Sequence, residues 1–172
     1  MNVRNLCVRG DCKSMPVSRR EWLVLLGFTG IVAAVALAAS LATVSAAATY
    51  AELEGPSWAP PGWVFGPVWT ILYAGMAVAG WVAWRAGARM RGPEMVVFGS
   101  QLVLNGLWSP LFFALQQRGA ALACIVALDV VVAATVYLFW SRQRIAGLLL
   151  VPYFGWILFA TALNVAYWSM NR

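Results

Sequence analysis

Five long apolar runs, almost free of charge, restrict this chain to a narrow set of folds. They are Trp22–Ala51, Gly55–Trp84, Met95–Gln117, Gly119–Ser141 (interrupted only by Asp129) and Ile145–Asn171. A helix needs about 20 apolar residues to cross a hydrocarbon core ~30 Å thick, and each run has that length. Run length and the lack of strict alternation exclude a transmembrane β-barrel. Only 10% of the 172 residues are charged and 62% are hydrophobic. Soluble domains carry about 25% charged residues, so there is too little polar surface here to coat five such helices in water. The expected fold class is an all-α membrane protein, a five-transmembrane-helix bundle. The runs predict spans near 22–46, 64–84, 95–115, 119–140 and 145–168. Residues 1–20 read as a basic, disordered tail, and 21–172 as one five-helix membrane domain.

The net charge of +6 is a topology signal rather than a nucleic-acid footprint. Arg4, Arg9, Lys13, Arg19 and Arg20 precede the first run; Arg85, Arg89 and Arg91 separate the second and third; Arg142 and Arg144 separate the fourth and fifth. Only Arg118 and Arg172 fall on the other side. Cytoplasmic loops carry the Lys/Arg excess, so the N-terminus is expected in the cytoplasm and the chain in a bacterial plasma (inner) membrane, in contact with anionic lipid. The basic tail, apolar run and Val44–Ala48 also resemble a cleavable secretory signal. The run is longer than a signal core, which favours a retained helix. Ala34, Ala38, Ala42 and Ala46 form a small-residue stripe suited to close helix packing.

The segment Trp58–Met76 reads WAPPGWVFGPVWTILYAGM. Pro60 and Pro61 cannot sit within a helix and mark a rigid lead-in, whereas Pro67 is tolerated in a first turn. Trp58, Trp63 and Trp69 are expected at or just below a membrane surface, and Trp22, Trp84, Trp140 and Trp168 are expected as interface anchors. Three helical stripes follow. Trp69, Tyr73, Met76 and Gly80 share one face of the second span. Gln101, Asn105, Trp108 and Phe112 share a face of the third, and Tyr153, Trp156, Ala160 and Asn164 a face of the fifth. Polar side chains avoid lipid, so the stripes should point inward. Tryptophan, tyrosine and amide together suit a flat aromatic ligand, held by stacking and oriented by amides. Packing between helices would explain the same residues, with Gln101, Asn105 and Asn164 as interhelical glue.

Other chemistry is sparse. The sequence contains no histidine, which removes the commonest metal ligand and general base. Cys7, Cys12 and Cys124 have no metal-ligand spacing and imply no disulfide framework. No metal site is expected. Asp129 is the one acid in mid-span, and is read either as part of a proton path or as a protonated interhelical hydrogen-bonding group.

Taken together, three ordered segments resemble the TspO/MBR family (tryptophan-rich sensory protein / translocator protein, peripheral benzodiazepine receptor-like). They are Trp58–Tyr73, Gln101–Phe113 and Pro152–Asn164. The likeness runs roughly from Thr49 to Trp168. It implies five helices, a homodimer, and a pocket between helices beneath the first long loop. It further implies binding of protoporphyrin IX and related tetrapyrroles, sterols or synthetic isoquinoline carboxamides, with no required cofactor. Trp69, Asn105, Trp108, Trp156 and Ala160 match the family's pocket by position. With the stripes and the first motif, the candidate ligand-binding set is Trp58, Phe65, Trp69, Tyr73, Gln101, Asn105, Trp108, Phe112, Tyr153, Trp156, Ala160 and Asn164. The chain has Gly55-Pro56 where relatives often have Lys-Pro, which removes a cation from that loop. Three functions are carried forward: a tetrapyrrole-binding sensory or regulatory protein, a porphyrin or sterol transporter or exporter, and a purely structural membrane protein. Light- and oxygen-dependent porphyrin breakdown, which some members show, would run through the porphyrin and a nearby indole. Trp69 and Trp156 are the candidates for that catalytic role.

Overall fold

The computed structural model describes residues 18–42 and 53–171. Five helices carry the chain back and forth: α1 (Arg19–Ala42), α2 (Phe65–Arg85), α3 (Pro93–Ser109), α4 (Arg118–Arg142) and α5 (Arg144–Met170). Each is long and apolar enough to cross a membrane, and no strand occurs among the described residues. The expected spans agree with these helices to within a few residues. The exception is the first, whose predicted end (43–46) lies outside the described residues. The Val44–Ala48 signal reading and most of the predicted tail also lie outside them.

Arg19 and Arg20, assigned to the tail from sequence, are the first turn of α1. The cause is a reciprocal cap. The Ser18 N–H donates to Glu21 Oε2 at 2.7 Å and the Glu21 N–H donates to Ser18 Oγ at 3.3 Å, a capping box that satisfies two otherwise orphaned donors. Pro61 is extended (φ −59°, ψ 144°) and hands the chain to a single 3-10 turn, Gly62–Val64, before α2. Pro67 falls in the first turn of α2, where its missing N–H costs nothing. At the end of α3 the helix widens into a π turn, Pro110–Ala114, in which the Leu115 N–H donates to the Pro110 carbonyl. The chain then reverses through Gln116, which has φ 52°.

The helices close a ring. α1 packs on α2 and α3, α2 on α5, α5 on α4, and α4 on α3. Phe28, Val32 and Ala39 are the buried residues of α1. Of the alanine stripe, Ala34 and Ala38 face away from the other helices, and the Ala42 and Ala46 side chains lie outside the described residues. The larger Phe28 and Val32 bury more surface, so they set the face that docks. Gly80 makes that docking possible, because a Cβ there would lie 2.8 Å from the Phe28 ring and 3.3 Å from that of Phe98.

The two ends of the bundle are fastened differently. At the basic end, Arg85 bridges Glu21 at 2.8 Å and Arg142 bridges Glu94 at 2.5 Å. The Trp81 indole donates to the Glu21 carbonyl at 3.0 Å, with the Arg85 guanidinium over its ring. At the opposite end, Asn171 clasps the lead-in: the Glu54 N–H donates to its Oδ1 and its Nδ2 donates to the Glu54 carbonyl, at 3.0 and 2.8 Å. Of the four tryptophans expected as interface anchors, Trp22 and Trp140 are exposed, whereas Trp84 and Trp168 are half-buried.

Candidate functional site

The three stripes do converge, as their spacing requires, on the space between α2, α3 and α5. Gln101, Asn105 and Tyr153 are 1–3% exposed. The structure spends these groups on one another. Tyr73 donates its hydroxyl to Asn105 Oδ1 at 2.8 Å, and Asn105 Nδ2 donates to the Tyr153 hydroxyl at 3.2 Å. Tyr153 in turn donates to Gln101 Oε1 at 2.7 Å. Trp69 lies against both tyrosines, its ring centroid 5.3 Å from Tyr73 and 6.3 Å from Tyr153. This network links three helices through one amide, as buried polar groups in lipid require.

One turn nearer the clasped end, the Trp108 indole donates to Asn164 Oδ1 at 3.1 Å, and Asn164 Nδ2 donates to the Arg118 carbonyl at 3.0 Å. Trp108 stacks on Phe112 at 5.5 Å. Here a crevice opens, lined by Phe65, Trp108, Phe112, Ala160, Asn164 and Tyr167 among others. Its enclosed space is about 20 Å³, enough for one water molecule. Phe65 connects it to a second aromatic group. Phe65 meets Trp156 edge-on at 5.8 Å, Trp156 lies 5.5 Å from Phe159, and Phe159 meets Trp58 at 5.8 Å. The Trp156 Nε1–H is buried and has no acceptor. Trp58 thus brings the lead-in over the aromatic group. Gly55 lies so close to the Tyr167 ring that a Cβ would sit 2.6 Å from its hydroxyl oxygen. A side chain there would hold the lead-in off α5.

The predicted residues therefore divide by depth. Tyr73, Gln101, Asn105 and Tyr153 form the inner network, with Trp69 packed on it. Phe65, Trp108, Phe112, Ala160 and Asn164 line the crevice, and Trp58 and Trp156 belong to the aromatic group beside it. Sequence reasoning missed Tyr167, Phe159 and Arg118. Tyr167 follows Asn164 by three residues and extends the fifth-span stripe, so spacing could have found it. Asp129 stands apart from the network's hydrogen bonds: it accepts from Thr161 Oγ1 at 2.9 Å, and its second oxygen is buried without a partner. No cluster of metal-ligating side chains occurs among the described residues.

Comparison with known proteins follows the same residues. The TspO/MBR family profile matches residues 28–169. The tryptophan-rich protein TspO of Archaeoglobus fulgidus is 43% identical over 141 residues, covering 81% of this chain and 92% of that protein. The translocator protein of Homo sapiens is 37% identical over 126 residues, 72% of this chain and 75% of that one. The tryptophan-rich sensory protein of Cereibacter sphaeroides is 36% identical over 152 residues, 88% and 93% respectively.

Proposed function

The chain belongs to the TspO/MBR family, and on that premise we propose that this integral membrane protein binds a tetrapyrrole of the protoporphyrin IX type in a sensory or regulatory role. The observation that carries the reading is the Trp156 indole, a buried donor without an acceptor, set between Phe65 and Phe159 beside the crevice. A flat conjugated ring would supply stacking partners for these aromatics and an acceptor for that N–H. The reading places the protein in a plasma membrane as a homodimer, with the basic end in the cytoplasm.

A crevice of about 20 Å³ is far smaller than the 300–1,000 Å³ of typical ligand pockets. Binding therefore requires the lead-in and its rings to move outward, and the ligand to occupy the space they vacate. Titration of the purified protein with protoporphyrin IX should quench tryptophan fluorescence saturably at micromolar ligand or below. Trp156→Phe should weaken binding about ten-fold, the value of one hydrogen bond plus lost ring contact. Equal quenching of both proteins would remove Trp156 from the site. Illumination of the same complex in air tests the light-dependent reaction. Loss of porphyrin absorbance faster than for free porphyrin, abolished in Trp69→Phe or Trp156→Phe at saturating ligand, would give these indoles a chemical role.

The small crevice and the self-satisfied inner network also favour a second reading, in which the aromatic stripes serve packing alone. A ligand bound only to the native state raises the melting temperature with concentration. No rise with any tetrapyrrole would select the structural reading.

A further inference from the structure

We infer that the π turn Pro110–Ala114 is a width filter for the crevice: it brings a second phenylalanine, Phe113, beside Phe112 as an end wall, and that wall grips compact ring systems and must be pushed aside by wide ones. The inference rests on the ligand-binding reading above and adds to it what sets the ligand's width. Trp108 touches both rings. Phe112 lies 5.5 Å from it, inclined by 28°, and Phe113 lies 6.0 Å from it at 81°. In an α-helix successive side chains are about 100° apart, so the residue four on from Trp108 lies over it and the residue five on points about 140° away. Both contacts are met at once because the turn is one residue wider: the Leu115 N–H donates to the Pro110 carbonyl, five residues back, at 2.9 Å. Pro110 starts the widening, since it has no N–H for the carbonyl of Gly106 and its ring crowds the preceding turn. Gln116 ends it at φ 52°, a left-handed conformation uncommon for a residue with a side chain. Two uncommon backbone features thus adjoin the crevice, the setting in which such features concentrate.

The result is a corner. Phe112 and Phe113 meet at 72° with their centroids 4.9 Å apart, and both line the crevice with Trp108. Phe112 is buried and is held from behind by Tyr167, edge-on at 6.2 Å. Phe113 is half-buried, so it is the side of the corner that yields. A compact polycycle can lie along one ring and meet the other edge-to-face, both favoured aromatic geometries. A macrocycle wider than the corner keeps one of those contacts and displaces Phe113.

The test uses the full chain in nanodiscs, with pyrene as the compact ligand and protoporphyrin IX as the wide one, each read by saturable tryptophan quenching against empty nanodiscs. Phe113→Ala should weaken pyrene by about three- to ten-fold, the loss of one aromatic pair, and leave protoporphyrin IX unchanged or tighter. Deleting Ala114 separates the turn from the ring. It removes the extra residue, so the same ends can close as an α turn and Phe113, still present, faces away from Trp108. The deletion should reproduce the selectivity of Phe113→Ala, and Phe113→Ala added to it should change nothing more. Gln116→Gly, which eases the left-handed residue without touching the rings, should bind both ligands as the wild type does. An equal loss of both ligands in Phe113→Ala, wild-type pyrene affinity in it, or no pyrene binding at all would overturn the inference. So would a folded deletion variant with wild-type selectivity; if the deletion does not fold, Phe113→Ala decides alone. Phe113-dependent binding of pyrene without any porphyrin binding would uphold the wall and overturn the tetrapyrrole reading instead.

Discussion

Asn105 sits where three helices meet, and its single amide answers two tyrosines. It accepts from Tyr73 and donates to Tyr153. Asn105→Leu would keep the branched shape, with larger methyl ends, and strand the Tyr73 hydroxyl without its acceptor. That should destabilise the ligand-free protein by about 1–2 kcal/mol, read as a lower melting temperature in detergent. Tyr73→Phe removes the stranded group, so the double variant should be less destabilised than the two single costs added together. Strict additivity would show that Tyr73 and Asn105 are not energetically coupled. Spacing in the sequence placed Gln101, Asn105, Tyr73 and Tyr153 on inward faces. It could not pair them, because a stripe defines a face and leaves the axial register between helices open. The same limit hid Arg118: its part is to offer a carbonyl to Asn164, which depends on what surrounds it in space, and a lone arginine in a short connection reads only as a flanking charge.

At the level of elements, five spans were legible because lipid makes the requirement simple: about 20 apolar residues and internally satisfied backbone. The π turn Pro110–Ala114 was not legible, because a proline after a helical run reads equally well as a kink, a stop or a widened turn. The outward-facing alanines of α1 show a related limit, since small residues at four-residue spacing mark a smooth face without saying what covers it. The connections carry their own prediction. Ten of the twelve Lys and Arg precede the first span in sequence or fall at the connections α2–α3 and α4–α5, so the side of the bundle that carries those connections should be cytoplasmic. In a chain with Cys7, Cys12 and Cys124 replaced by serine, Gln117→Cys should react with an impermeant maleimide added to intact cells. Arg89→Cys should react only after the membrane is opened. The opposite pattern would invert the orientation and place the crevice at the cytoplasmic face.

Across the whole molecule, the basic end is tied by ion pairs between helices and the other end by a strap laid over an aromatic crevice. Among the strap's anchors are the Asn171–Glu54 clasp, the Trp58–Phe159 edge contact and the close seat of Gly55 on Tyr167, with Leu53 and Ala59 packed against the core. The helices beneath are joined by buried networks that extend through the bundle. If a large flat ligand enters at this end, opening the strap comes first, and the rate of entry follows the population of the open form. Asn171→Ala deletes both hydrogen bonds to Glu54 and leaves the crevice lining intact. Exposed hydrogen bonds lie at the low end of the range of about 0.5–1.5 kcal/mol each, so losing two should raise the open population by about five-fold or more. The association rate of protoporphyrin IX, measured by stopped-flow tryptophan quenching, should rise by the same factor, with little change in melting temperature. An unchanged association rate would mean that the ligand enters elsewhere, between helices from the lipid, and that the strap over Phe159 and Tyr167 is a fixed roof.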